Sequence, residues 1–227
     1  MKQDRKSGDT KELGHIAEPL LKWYDRGRRI LPWREDPTPY HVWISEIMLQ
    51  QTRVEAVKPY FQRFITALPD VHALAQCPQE QLLKLWEGLG YYNRVRNMQK
   101  AAQKIEEEYA GKFPENYEEI KALPGIGNYT AGAISSFAYG IPKPAVDGNV
   151  LRVVSRLLAS DADIMKASVR TKIENAIEPV IPEDAASDFN QGLIELGAIV
   201  CVPNGEAKCE ICPLTGICEA KRLVIQN

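Results

Sequence analysis

The sequence predicts an all-α fold, and two observations carry that prediction. Apolar residues recur at helical spacing in segment after segment, and no stretch sustains the period-two alternation of a half-buried strand. Proline and glycine fall between those segments and cut the chain into many short helices with tight links rather than a few long ones. The chain has 227 residues, 44% hydrophobic and 26% charged, which suffices for one large domain or two small ones with a real core.

The elements follow in order. Residues 1–14 are polar, mixed in charge and without the apolar core of an export signal, so they read as a frayed tail on a cytoplasmic protein. A first helix fits 16–25. Thr38 is the expected N-cap of a second helix, with Pro39 at its first position. That helix is expected to run from 39 to 52, through Val42, Trp43, Ile44, Ile47, Met48 and Leu49. Further helices fit 54–68, 79–86, 94–109, 117–122, 128–139, 149–159, 168–177 and 185–200. There is no internal repeat and no low-complexity linker. No apolar run approaches the roughly 20 residues of a membrane span, so no membrane partner is expected.

A net charge of −2 argues mildly against a nucleic-acid partner, whose usual footprint is strongly basic. Basic residues do cluster at Arg26-Gly27-Arg28-Arg29 and at Arg94 and Arg96. A basic face on a near-neutral protein can hold phosphates, although such a run is ordinarily just solvated surface.

Residues 123–150 carry more. Leu123-Pro124-Gly125-Ile126-Gly127 leads directly into a helix. Gly125 and Gly127 permit tight positive-φ turns and close approach of another backbone. The helix that follows offers free N–H groups and its positive dipole end to an anion such as a DNA phosphate. As a bare pattern Gly-x-Gly before a helix is weak, but Asp147 lies 20 residues beyond Gly127, in a turn before another helix. Glu46 is a second carboxylate of interest, flanked by Trp43, Ile44, Ile47 and Met48. In that setting it would be desolvated and its pKa raised. Alternatively it lies on a polar stripe with Gln50 and Arg53, and periodicity alone slightly favours the stripe.

Four of the five cysteines, Cys201, Cys209, Cys212 and Cys218, are spaced C-x7-C-x2-C-x5-C. Without an export signal, disulfides are not expected, and four thiolates so close together fit a metal centre. Zinc and an iron–sulfur cluster both accept four cysteines. A single C-x2-C pair and uneven gaps lean toward a [4Fe–4S] cluster. Cys77 stands apart and reads as a small buried residue.

Together, Leu123–Gly127, Asp147 and the C-terminal cysteines resemble the helix-hairpin-helix DNA glycosylases of the endonuclease III superfamily, over roughly residues 20–218. Leu31-Pro32-Trp33-Arg34, Ser45-Glu46-Ile47-Met48-Leu49-Gln50-Gln51-Thr52 and Gly88-Leu89-Gly90-Tyr91-Tyr92 are similar to the adenine glycosylases of the MutY type within it. The resemblance implies a six-helix barrel subdomain at 30–137, containing the hairpin at about 117–137. It also implies a discontinuous iron–sulfur subdomain formed by 1–29 and 138–227.

It further implies removal of adenine mispaired with 8-oxoguanine or guanine, in double-stranded DNA, by a monomeric bacterial enzyme associated with the nucleoid. The base is flipped from the duplex. Glu46 would protonate it at N7, and Asp147 would stabilise the resulting oxocarbenium ion and orient water. Asn149 and Tyr129 would hydrogen-bond to the carboxylates and the sugar. Trp33, Arg34 and Gln191 match positions lining the base pocket, while Gln51, Thr52 and Tyr91 match those that enter the gap or meet the opposite base. Cys201, Cys209, Cys212 and Cys218 would hold the [4Fe–4S] cluster. Tyr129 stands where bifunctional relatives hold a Schiff-base lysine, so base removal without strand cleavage is expected. Lys143, close by in sequence, is a candidate for adventitious lyase activity.

Two departures accompany the resemblance. The first cysteine gap has seven residues where the family usually has six, so a bulged loop turning at Asn204-Gly205 is expected around an intact cluster. The chain also stops soon after Cys218, where typical relatives continue into a domain that reads 8-oxoguanine, so weakened discrimination for that base is expected. Two other functions compete. One is a thymine or uracil mismatch glycosylase, against which the Gln50-Gln51 pair speaks. The other is a non-catalytic cluster-bearing DNA-binding protein, against which the presence of both Glu46 and Asp147 speaks.

Overall fold

The computed structural model describes residues 10–225. The described residues contain thirteen α-helices and no strand. In chain order they are α1 (Ala17–Gly27), α2 (Pro32–Glu35), α3 (Pro39–Leu49), α4 (Val54–Ala67), α5 (Val71–Gln76) and α6 (Gln79–Trp86). Next come α7 (Asn93–Tyr109), α8 (Tyr117–Lys121), α9 (Asn128–Tyr139) and α10 (Gly148–Leu157). The last are α11 (Ala167–Ile177), α12 (Ala186–Ile199) and α13 (Glu219–Ile225). None of the described helices is long and apolar enough to cross a membrane.

The chain divides into two compact units. One is Arg29–Tyr139; the other joins the described residues up to Arg28 with those from Gly140 onward. Each has its own apolar core. In Arg29–Tyr139 the core is aromatic: Phe64 meets Trp86 edge-on with centroids 6.0 Å apart, and Trp33 meets Phe61 at 5.5 Å. Full burial of side chains such as Phe61, Phe64 and Met98 stabilises the unit by about 1.5–3 kcal/mol each, before the entropy cost is counted. In the other unit Leu20, Val154, Phe189, Leu193 and Leu214 are fully buried. There α12 uses Gly192 to admit Leu20 of α1, whose Cγ lies 3.3 Å from where a Cβ would stand.

Thr38 caps α3 by accepting from the His41 amide at 3.1 Å, with Pro39 at the first position, as its sequence predicts. The far end differs from expectation. The helix stops at Leu49 rather than Thr52, because Gln50 leaves the helical region (φ −58°, ψ 113°) and Gln51 is left-handed (φ 60°). Gln50 and Arg53 therefore do not extend a polar stripe from Glu46. Three short helices, α2, α5 and α13, escape periodicity because they are under two turns long. In α5 the signal was instead a cap, Asp70 accepting from the Ala73 amide at 2.8 Å. Part of the expected N-terminal tail is also ordered: Thr10–His15 form a 3-10 turn that buries Leu13. The rest of that tail, residues 1–9, lies outside the described residues.

Candidate active site

In Arg29–Tyr139, α3 is buried from Val42 through Met48, and Glu46 is among those residues with 6% exposure. Its side chain is thus withdrawn from water, on a helix where Trp43, Ile44, Ile47 and Met48 are buried as well. Tyr129, in the first turn of α9, donates its hydroxyl to Glu46 Oε2 at 2.6 Å across 83 residues of sequence. This bond fixes the orientation of the Glu46 carboxyl group.

The hairpin before α9 is anchored by buried Ile120, Leu123 and Ile126. Gly125 is left-handed (φ +78°), and a Cβ there would stand 2.8 Å from the Asn97 Cβ, so two independent constraints demand glycine. Gly127 does not share that conformation. Nothing lies within 4 Å of where its Cβ would be, so its role is open space rather than turn geometry. Gly127 and Asn128 are exposed, leaving the start of the twelve-residue α9 accessible to an anion.

The other predicted residues of this unit fall in two places. Trp33 is buried against Phe61, and Arg34 donates to the Arg29 carbonyl at 3.0 Å. Gln51 and Tyr91 are exposed, both in left-handed backbone, and line one open pocket; Thr52, partly buried, follows Gln51.

In the second unit Asp147 is the N-cap of α10. Its Oδ1 accepts from the Val150 amide at 2.9 Å and its Oδ2 from Asn149 Nδ2 at 2.7 Å. Burial is the largest influence and raises the Asp147 pKa above the usual carboxylate range, opposed by those two bonds and by Arg152. The segment before it is pinned by buried Asn190, which accepts from the Ala145 amide at 2.9 Å and donates to the Lys143 carbonyl at 3.1 Å. Arg152 carries the order further. It donates to Asn149 Oδ1 at 2.9 Å and to the carbonyls of Gly197 and Cys201 at 2.8 Å each. Gly197 lets α12 approach α10, since a Cβ there would stand 2.5 Å from the Asn149 Cβ. Gln191 lies half-buried on α12, its amide on the Ser187 hydroxyl at 3.0 Å. Lys143 is engaged by Glu178.

Sequence reasoning missed Asn190, Arg152 and Gly197. The one readable sign was Arg152 three residues beyond Asn149 on a helix.

The cysteines gather in the same unit. The Cys212 thiol is pushed up to about 11, first by burial, then by the fields of Cys201, Cys218 and Cys209, against one backbone hydrogen bond at Leu214. Cys218 is raised in the same way, with backbone hydrogen bonds at Lys221 and Ala220 opposing. Arg156 Nη1 reaches Cys201 Sγ at 3.2 Å. Cys201, Cys212 and Cys218 are each touched by an N–H donor, and four cysteines have the donor chemistry of a thiolate-ligated group, though their side chains are not drawn together into one. Among the described residues, no three His, Cys, Asp or Glu side chains form a group able to hold a metal ion. The first gap loops out as expected of its extra residue: Gly205 is left-handed (φ +79°) in an exposed bend, and the Lys208 amide returns to the Val200 carbonyl at 3.1 Å. Cys77 is buried in the other unit, as expected.

A family model described as HhH-GPD superfamily base excision DNA repair protein matches residues 44–179, more than half of the chain. The chain belongs to this superfamily. Adenine DNA glycosylase of Buchnera aphidicola (subsp. Acyrthosiphon pisum) is 43% identical over 207 residues, 91% of this chain and 59% of that protein. The Homo sapiens adenine DNA glycosylase is 40% identical over 228 residues, 96% of this chain and 42% of that one. The chain thus spans about three fifths of the bacterial relative and under half of the human one. Among solved structures, a thermostable thymine-DNA glycosylase superposes with a TM-score of 0.85 at 27% identity, covering 94% of this chain and 98% of that one. The all-α architecture is therefore that of HhH-GPD glycosylases.

Proposed function

We propose that this HhH-GPD chain is a monofunctional adenine DNA glycosylase that removes adenine mispaired with guanine or 8-oxoguanine from double-stranded DNA. The observation that carries the reading is the bond from Tyr129 to Glu46. It joins a buried acid to the hairpin position where a lysine would otherwise form a Schiff base. Identities of 40–43% to adenine DNA glycosylases support the choice of base.

In this reading Glu46 delivers a proton to N7 of the flipped adenine, and the leaving base departs neutral. Asp147, fixed by Val150 and Asn149, faces the positive charge that develops on the sugar and orients the water that attacks it. By resemblance, Trp33 and Arg34 of one unit and Gln191 of the other would each contact the flipped base, and Gln51, Thr52 and Tyr91 would meet the opposite strand. Gly125 and Gly127 bring a backbone phosphate to the start of α9. Cys201, Cys209, Cys212 and Cys218 would hold a [4Fe–4S] cluster, which when bound would tie together the segments that carry them. The protein works as a monomer in the bacterial cytoplasm, on the nucleoid.

The test is a panel of duplexes carrying A·8-oxoguanine, A·G, T·G and U·G, scored with and without alkali. Alkali-dependent cleavage of the adenine strands alone is expected. Cleavage of T·G or U·G instead selects the mismatch-thymine reading, which the superposition on the thymine-DNA glycosylase favours. A broad visible absorbance of the purified protein is expected from the cluster, and a colourless, zinc-bearing preparation excludes it.

A further inference from the structure

One guanidinium fastens two exposed turns together. Arg94, at the start of α7, sends Nη1 to the carbonyls of Ile47 and Gln50 at 2.7 Å each and toward Met48 at 3.4 Å. Its Nη2 reaches the carbonyls of Leu89 at 2.9 Å and Gly90 at 3.4 Å. Ile47 and Met48 belong to the last turn of α3, whose carbonyls have no partner within the helix. Leu89 and Gly90 form the turn that precedes Tyr91. The plane of charge sits 5.3 Å from the ring centre of buried Trp86 and 5.6 Å from that of Tyr91.

What these turns present is unusual backbone. Gln51 (φ 60°) and Tyr91 (φ 46°) are two of four non-glycine residues with positive φ among those described. Ala110, Ala159 and Gln51 itself follow helix ends, but only Gln51 and Tyr91 lie in the turns that Arg94 holds. Gln51 and Tyr91 are exposed, Tyr91 by 66%, and line one pocket with Gln50, Tyr92, Arg94 and Arg96. Left-handed backbone at such residues is costly and persists only where its surroundings hold it. An exposed aromatic ring so held is a platform for a nucleobase. Arg94 is not free for the ordinary task of arginine on DNA, a phosphate contact, because both of its Nη atoms are already on carbonyls. Arg96, exposed and bonded only to Asn93 at 3.3 Å, fits that task instead.

We propose that Arg94 is a positioning residue that locks Gln51 and Tyr91 into one rigid, two-pronged wedge, which parts the duplex beside the base to be excised. The inference rests on the reading that the chain acts on duplex DNA. Without the latch, each turn relaxes separately and the strain is released before DNA is met, so the strands must be opened by a disordered pair of loops.

The test uses the whole chain as Arg94→Gln and Arg94→Lys, with Arg96→Gln for comparison. Three quantities are read: amide exchange of segments 50–52 and 88–92, fluorescence of 2-aminopurine beside an A·G pair on binding, and single-turnover excision. Excision is compared between adenine opposite guanine and adenine opposite an abasic site, where no partner base needs to be displaced. In Arg94→Gln, exchange is expected to rise about tenfold or more in both segments together. The fluorescence rise should be lost, and excision opposite guanine should fall about 100-fold but opposite the abasic site by under about tenfold. Arg94→Lys should recover only part of this, since an ammonium cannot fork between two turns. Arg96→Gln should weaken binding alone. Equal losses on both substrates, unchanged exchange in either segment, or full activity of Arg94→Lys overturns the proposal. If the unsubstituted protein excises no base, the proposed function fails, while exchange and fluorescence still decide the latch.

Discussion

Glu46 is buried and Asp147 half-buried, and different work is proposed for the two acids. Glu46 accepts a tyrosine hydroxyl. Asp147 accepts an amide and a side-chain N–H, bonds that favour the anion. Glu46→Gln keeps an acceptor for Tyr129 but has no proton to give. Its single-turnover excision is expected to fall by at least about 10²–10⁴, with duplex affinity intact by fluorescence anisotropy; normal turnover would falsify the acid assignment. For Asp147 the net shift is upward, with burial the largest cause. A carboxyl whose folded pKa is raised supports the fold while protonated, below its unfolded pKa, and loses that support as pH rises through the folded value. At pH 7 the ionised group therefore costs stability. Asp147→Asn retains a helix-capping oxygen and removes the charge. Its melting temperature at pH 7 should equal or exceed that of the unsubstituted protein, with the difference closing below about pH 4, while excision falls about 10²–10³-fold. A lower melting point at pH 7 would show that the carboxylate is net stabilising.

At the scale of elements, the decisive ties run between helices. Gly197→Ala illustrates this. In an ordinary helix interior the change stabilises by about 1 kcal/mol. Here a Cβ would stand 2.5 Å from the Asn149 Cβ and 3.0 Å from its carbonyl oxygen, so α10 must move away from α12. The expected outcome is a loss of about 1–3 kcal/mol in urea unfolding together with impaired excision, because Asn149 carries the bond to Asp147. A stabilised, fully active variant would mean that the helices separate freely. These ties also mark the boundary of what the sequence revealed. Thr38, Asn116 and Asp147 cap helices through residues two or three positions away, and such local chemistry can be read from the string. The end of α3 could not be, because it is set by Arg94, more than 40 residues distant, holding the Ile47 and Gln50 carbonyls. The bond between Tyr129 and Glu46 is equally non-local. Family resemblance named both residues, but periodicity alone leaned toward a polar stripe for Glu46 rather than a buried acid. Only the early end of α3 removes the stripe.

At the scale of the molecule, the division at Arg29 and Gly140 separates the two acids: Glu46 and Tyr129 lie in the contiguous unit, Asp147 and Asn149 in the one formed by both chain ends. The contiguous unit has its own core, in which Trp43, Phe61, Phe64, Trp86 and Met98 are essentially inaccessible to water. It also contains the Tyr129–Glu46 bond and the Arg94 latch entire. A core of this kind, closed within one stretch of chain, is what independent folding requires. The fragment 29–139 is therefore expected to be helical by circular dichroism and to melt in one cooperative transition. It should excise no adenine even in large excess over an A·G duplex, because it lacks Asp147, the carboxylate proposed to face the sugar's positive charge. Its affinity for duplex DNA should persist in weakened form, since the hairpin of Gly125 and Gly127 and the exposed Tyr91 remain. Excision by the fragment would remove Asp147 from the mechanism. A fragment without a cooperative transition would mean that its core depends on the chain ends for stability, even though none of its buried residues comes from them.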